Sequence, residues 1–245
     1  MLESGSMSWV RFHPLTRITI VVAAIIAMAL FTGVERVGNA LASISPGGSF
    51  EDRCEQLPRG GVHVALLGFN VTEDRTLPFA TLTKLSPSPA QRTIGLTRAN
   101  FGHRSSIDVK GLQDGAGHRA CVRPYVQVQL FLRPLTVYVA SEYADDPCRA
   151  GTIREHEQRH VDVYAAYARE AADRLTTRLK AVVGDAPHIA STVGEAQSNL
   201  DRRIEDTLEA FMRESESTLA TRQAKVDTPE EYARMSNACV ATSEK

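Results

Sequence analysis

The sequence predicts an α+β fold in which an N-terminal antiparallel β-sheet is followed by a long antiparallel helical hairpin. Two observations carry this expectation. Between residues 61 and 143 short runs rich in Val, Leu, Thr and Tyr are broken by glycine and proline, the pattern of strands joined by turns. From residue 146 onward apolar residues recur at spacings of three and four through two long stretches separated by Gly184-Asp185-Ala186-Pro187, a helix stop.

The elements follow in order. In residues 1–42, Arg11 and Arg17 precede an uncharged run from Ile18 to Phe31, the pattern of an export signal, and Ala40-Leu41-Ala42 offers a small-x-small cleavage site. A membrane anchor is the alternative, because the run extended to Val34 only just reaches the length of a bilayer span. Residues 43–60 read as a linker opening on the Ser, Gly and Pro residues of Ser43–Phe50. The β part spans 61–145, with strands at Gly61–Phe69, Thr93–Thr97 and Ile107–Leu112. Val122–Phe131 and Leu135–Tyr143, separated by Leu132-Arg133-Pro134, read as an antiparallel hairpin.

The helical part spans 146–245 and opens with Asp146 as cap and Pro147 at the first helical position. Its second helix is marked by Ile189, Val193, Ala196, Leu200, Ile204, Leu208, Phe211 and Leu219. Folding back about the turn at 185–186 places His160 opposite Phe211, Glu157 opposite Glu214 and His156 opposite Ser215.

The chain carries 28 basic and 29 acidic side chains, a formal net charge of −1, with no long block of one sign. Nucleic-acid binding is therefore not expected. Export makes the four cysteines readable as two disulfides. Reflection through the expected hairpin brings Cys121 to Cys148 and leaves Cys54 to pair with Cys239.

Residues 156–160 read His-Glu-Gln-Arg-His, an H-E-x-x-H string inside the first long helix. Residues i and i+4 share one face of a helix, so His156 and His160 can aim at one metal ion, with Zn2+ the expected cofactor. Glu157, beside the first histidine, is then placed to act as general base toward a metal-activated water. The stripe Ile153, Glu157, His160, Tyr164, Ala168, Ala171, Leu175, Leu179 and Val182 faces the core. Burying imidazoles and a carboxylate there costs several kcal/mol unless a cation compensates. An accidental, solvated charge cluster is the alternative.

A catalytic zinc needs a third protein ligand. The extended motif with a further histidine is absent, since Val163 and Ala166 occupy its positions. Two carboxylates remain: Glu214, from the hairpin register, and Asp227, from its place in a loop after the second helix. Each also has a bland reading, Glu214 as a solvated helix residue and Asp227 as a turn cap. Tyr232 and His188 are candidates for oxyanion stabilisation, against a packed tyrosine and a turn histidine.

The string Val137-Tyr138-Val139-Ala140-Ser141-Glu142-Tyr143, then Cys148, then His156-Glu157-Gln158-Arg159-His160-Val161 resembles the predicted secreted zinc-dependent protease families of bacteria. The likeness covers residues 120–240, with the tail from Asp227-Thr228 to Cys239 its weaker part. It implies zinc at His156 and His160, Glu157 as base and an exported, disulfide-bonded domain. This chain departs from relatives that carry a histidine near the tail, since none follows His188.

The expectation is a zincin-like metallopeptidase domain over 61–245, periplasmic or extracellular, hydrolysing a peptide or protein substrate held by main-chain pairing along Leu135–Tyr143. The alternative is a non-catalytic envelope interaction protein built on the helical hairpin, with structural zinc or none. A closed four-ligand site would mark the second, an open three-ligand site the first.

Overall fold

The computed structural model describes residues 48–87 and 92–239. The expected export signal or anchor lies outside the described residues. Helix α1 (Phe50–Glu55) occupies part of the stretch read as linker, started by a capping box in which Ser49 and Asp52 satisfy each other's backbone amides.

The centre of the fold is one long strand, β4 (Ala120–Val139). Along one edge it pairs antiparallel with β3 (Gly95–Gln113). Its other edge carries β1 (Gly61–Leu66) and β2 (Val71–Asp74), both parallel, and β5 (His188–Ala190), antiparallel at Ala120–Val122. The fold is α+β, but the sheet is mixed rather than antiparallel.

The hairpin expected within 122–143 is also corrected, because β4 continues straight through Leu132-Arg133-Pro134. Ala99 pairs Leu135 while Phe101 pairs Leu132, so β4 carries one extra residue there, a β-bulge. Side chains alternate between faces along a strand, so an extra residue switches the phase. Val126, Val128, Leu130 and Leu132 are buried before the bulge, and Leu135, Val137 and Val139 after it. Both halves of β4 thus face the same helical layer. The two short strands expected at 93–97 and 107–112 are likewise parts of one strand, β3.

Helix α3 (Pro147–Val183) starts at the Asp146 cap, whose side chain accepts from the Arg149 amide, and stops at Gly184 with φ 63°. Its buried stripe includes Ile153, His156, Glu157, His160, Ala168, Ala171, Leu175 and Leu179. Helix α4 (Val193–Gln223) packs beside it, and Tyr167, Leu175, Leu179, Leu200, Ile204 and Phe211 close a core over Val126, Val128 and Leu130.

The register of the two helices differs from the expectation. The link 184–192 contains β5, which pairs with β4 before α4 begins. His160 accordingly meets Gln223 rather than Phe211, roughly three turns further along α4. Glu214 lies against Arg174 and Arg178, well away from Glu157. A short helix, α5 (Pro229–Asn237), follows, capped by Thr228 with Pro229 at its first position. Helix α2 (Phe79–Leu85) lies between β2 and β3 in the chain.

The disulfides are Cys54–Cys121 and Cys148–Cys239, with Cα separations of 6.0 and 5.9 Å. The expected pairs Cys121–Cys148 and Cys54–Cys239 are not formed. The continuous β4 puts Cys121 at its start and Cys148 beyond its far end, tens of ångströms apart at about 3.3 Å per residue, where a bond needing Cα atoms within about 7 Å cannot close. Among the described residues no helix is long and apolar enough to cross a membrane.

Candidate metal centre

His156 and His160 project from one face of α3, and the loop between α4 and α5 brings Asp227 onto them. His156 Nε2 and His160 Nε2 are 3.2 Å apart, and Asp227 Oδ1 lies 3.2 Å from the first and 3.3 Å from the second. These three side chains form a group able to hold a metal ion.

The hydrogen bonds around the ring nitrogens fix which of them are free. Gln223 donates its Nε2 to the His160 carbonyl at 3.1 Å, so its Oε1, 2.6 Å from His160 Nδ1, is the acceptor. His160 Nδ1 must then carry the proton. His156 Nδ1 faces Glu231 Oε1 at 3.4 Å, which accepts only. Both Nε2 atoms are left as lone-pair donors, aimed with a carboxylate oxygen at one point.

Two imidazole lone pairs and a carboxylate oxygen converging on one point form a group that can accept a cation. Two ligands at about 2.0–2.1 Å from a tetrahedral zinc are separated by about 3.3 Å, and the observed triangle matches that spacing. Two imidazoles and one carboxylate are also a zinc donor set. Of the two carboxylates the sequence offered as third ligand, Asp227 is at the site. Glu214 is not, since Arg178 at 2.5 Å and Arg174 hold its carboxylate between α3 and α4.

Glu231 locks the first histidine in place. It is 8% exposed and accepts from Arg159 Nη1 at 2.5 Å and from Arg234 Nη2 at 2.8 Å. The hydrogen bond from Arg234, partly opposed by burial, and that from Arg159 hold its carboxyl down to about 2. It therefore faces His156 as an anion. Asp227 is also held well below the carboxylate range: burial would raise it, but the adjoining His156 and His160 rings and a hydrogen bond from the Tyr232 hydroxyl outweigh the burial. For His160 burial disfavours the charged ring, but the neighbouring oxygens of Asp227 and Gln223 and the charge of Glu157 prevail and raise it.

Glu157 sits beside the cluster, 3% exposed. Burial raises its carboxyl above the ordinary value, against the charge of His160 and a hydrogen bond from Thr97. Thr97 Oγ1 donates to Glu157 Oε2 at 2.7 Å. Oε1 lies against the backbone of Gly95, where an added Cβ would come within 2.5 Å of it. Only glycine leaves room for the carboxylate in this position.

A cleft of about 820 Å3 opens on the cluster, lined by Arg92 to Ile94 and the first residues of β3, Gly95 to Thr97, by one face of α3 and by the α5 segment. Among the described residues no fourth histidine, cysteine, aspartate or glutamate joins the three-residue group. Tyr232 lines the cleft with its hydroxyl donating to Asp227 Oδ1 at 2.8 Å. His188 is remote from the cluster in the fold: it sits on β5 with Nε2 2.7 Å from the Val183 carbonyl, so it serves the link between helices.

Gly95, Thr97, Gln223 and Glu231 complete the site without having been singled out in the sequence. Glu231 had a local signal, as an acidic residue in the first turn after Thr228-Pro229, but that signal is satisfied by helix capping alone. Comparison with protein-family models, curated proteins and solved structures finds no match.

Proposed function

We propose that this protein is an exported zinc-dependent peptidase, with His156, His160 and Asp227 as metal ligands and Glu157 as general base. The observation that carries the reading is the set of three convergent ligand atoms, open on one side to a cleft, with a buried carboxylate next to it. An open three-ligand site is the catalytic rather than the structural arrangement. The H-E-x-x-H spacing on one face of α3 supports the same reading, and the two disulfides support export to an oxidising compartment.

Bound zinc supplies Lewis acidity and lowers the pKa of a coordinated water toward about 7. Glu157 takes the proton of the attacking water and returns it to the departing amine. Its burial favours the shuttle, because a carboxylate with a raised pKa holds that proton between the two steps. Thr97 and Gly95 fix the carboxylate so that the proton moves without a search for geometry.

Main-chain pairing with substrate falls to β3 rather than to Leu135–Tyr143. β4 is already paired on both edges at Leu135–Tyr138, by β2 and by β3. β3 pairs only with β4 among the described strands, and its Gly95–Thr97 stretch borders the cleft. An extended peptide can add to that edge and pass over the metal ligands.

The test is Glu157→Gln. We expect zinc content equal to the parent and turnover of unfolded protein reduced by at least about 10²-fold. Parent-like cleavage by this variant would remove Glu157 as base.

A further inference from the structure

We propose that the cleft selects substrates bearing a carboxylate two or three residues C-terminal to the scissile bond, bound by Arg92 and Arg149; this specificity rests on the peptidase reading above. The cleft's charges are unevenly placed. Its acids are Glu157 and Asp227, both at the metal centre, while its bases other than the two histidines are Arg92 and Arg149.

One face of α3 forms the floor, running from Arg149 through Thr152, Ile153, His156, Glu157 and His160 to Tyr164. Arg149 precedes His156 by seven residues, a rise of about 10 Å. That is the reach of about three residues of extended peptide, and the arginine side chain shortens it to two or three. Arg92 also lines the cleft, just before β3; Ile94 packs against the cluster of Val139, Ala150 and Ile153 and Gly95 abuts Ile153 and Glu157, which sets Arg92 toward the Arg149 end of α3. At the opposite end the lining side chains among the described residues, Tyr164 and Gln223, are uncharged, with Arg98 near Tyr164 outside the lining.

Both arginines are available to a ligand. Arg92 is held with its guanidinium carbon 3.9 Å above the centre of the Phe79 ring and has no ion-pair partner among the described residues. The neighbouring acid Glu142 is committed to the Phe79 amide, at 3.0 Å. Among the described residues Arg149 has only Asp146 as an ion-pair partner, at 3.8 Å, and both side chains are 44% exposed. Asp146 already accepts the Arg149 amide as helix cap. An incoming carboxylate therefore meets two cations with little competition.

The strand geometry fixes the direction. β3 runs from the arginine end at Arg92 toward Thr97, and antiparallel pairing is the more stable arrangement per residue. A peptide added antiparallel to β3 enters with its C-terminal side at the arginines. The carboxylate is either an Asp or Glu side chain or the free C-terminus of a short peptide.

Peptides differing only in Glu or Gln at the second and third positions after the cleaved bond, each as free acid and as amide, test this against the parent, Arg92→Gln, Arg149→Gln and the double variant. The expected parent preference in kcat/KM for the carboxylate is about tenfold, the sum of two partly exposed pairs, falling toward one in the double variant and with added salt. A preference that follows the terminal acid rather than the side chain assigns the site to the C-terminus. A ratio near one in the parent, a ratio unchanged in the double variant, or a preference on the N-terminal side overturns the proposal.

Binding of the same labelled peptides to the Glu157→Gln protein separates this failure from that of the peptidase reading. Arginine-dependent binding of the acidic peptide without any turnover by the parent would keep the carboxylate site and remove the peptidase. Glu157-dependent turnover without acid preference would do the reverse.

Discussion

Replacing Gly95 by alanine puts the packing around Glu157 under direct strain. The new Cβ would stand 2.5 Å from Glu157 Oε1, 2.5 Å from Ile153 Cγ2 and 3.2 Å from Glu157 Cδ. Ordinary contacts are about 3.5–4.0 Å, so both neighbours must withdraw by about 1 Å. Neither has room. Ile153 is 2% exposed and packed with Val139 and Ala150, and Glu157 is tied to Thr97 at 2.7 Å.

Overpacking of this kind costs about 1–3 kcal/mol, a fall in Tm of about 2–12 °C for a domain this size. With Glu157 as the proposed base, a displacement of about 1 Å at its carboxylate costs about 10²-fold in turnover. The proposed metal ligands are on other residues, so zinc content is expected to stay at the parent level. The assays are a thermal melt, elemental analysis and peptide turnover on the same preparation. Parent-like melting together with parent-like turnover would refute the placement of Glu157 against β3.

Two further perturbations separate the supports of the site. Glu231→Gln removes the anion facing His156 Nδ1 and leaves Arg159 and Arg234 without their carboxylate; zinc affinity measured by chelator competition should fall about 10–100-fold, and an unchanged affinity would show that Glu231 orients nothing. Cys148→Ser with Cys239→Ser opens a bond between residues 91 apart in sequence, which the chain-entropy account values at about 4–5 kcal/mol. That bond also pins the segment carrying Asp227 and Glu231 to the start of α3, so zinc affinity should weaken along with the melting temperature. Cys54→Ser with Cys121→Ser should lower melting without weakening zinc, and equal loss of affinity in both pairs would contradict the pinning role.

What the sequence made legible was local. The H-E-x-x-H pair on a helix, the Asp146-Pro147 start and the Gly184 stop depend on spacing within a few residues, and they stand in the structure as read. Asp227 was visible as one of two carboxylates; choosing between them needed the register of α3 and α4, which the β5 detour shifts. The sheet was misread at Leu132-Arg133-Pro134, where the residues of a turn serve a bulge instead. The disulfide pairing fell with the hairpin, since it was derived from that reflection. The parallel pairing of β1 and β2 with β4 is set by contacts more than sixty residues apart in the chain, and no local pattern encodes it. Gly95, Thr97 and Gln223 act through proximity alone, so single-residue patterns were silent about them.

The most direct measurement is the zinc stoichiometry of the purified chain beside Asp227→Ala and Glu214→Ala. One zinc per chain is expected in the parent and in Glu214→Ala, and its loss in Asp227→Ala. A parent that binds no zinc, or an Asp227→Ala protein that keeps its full complement at parent affinity, would contradict this expectation.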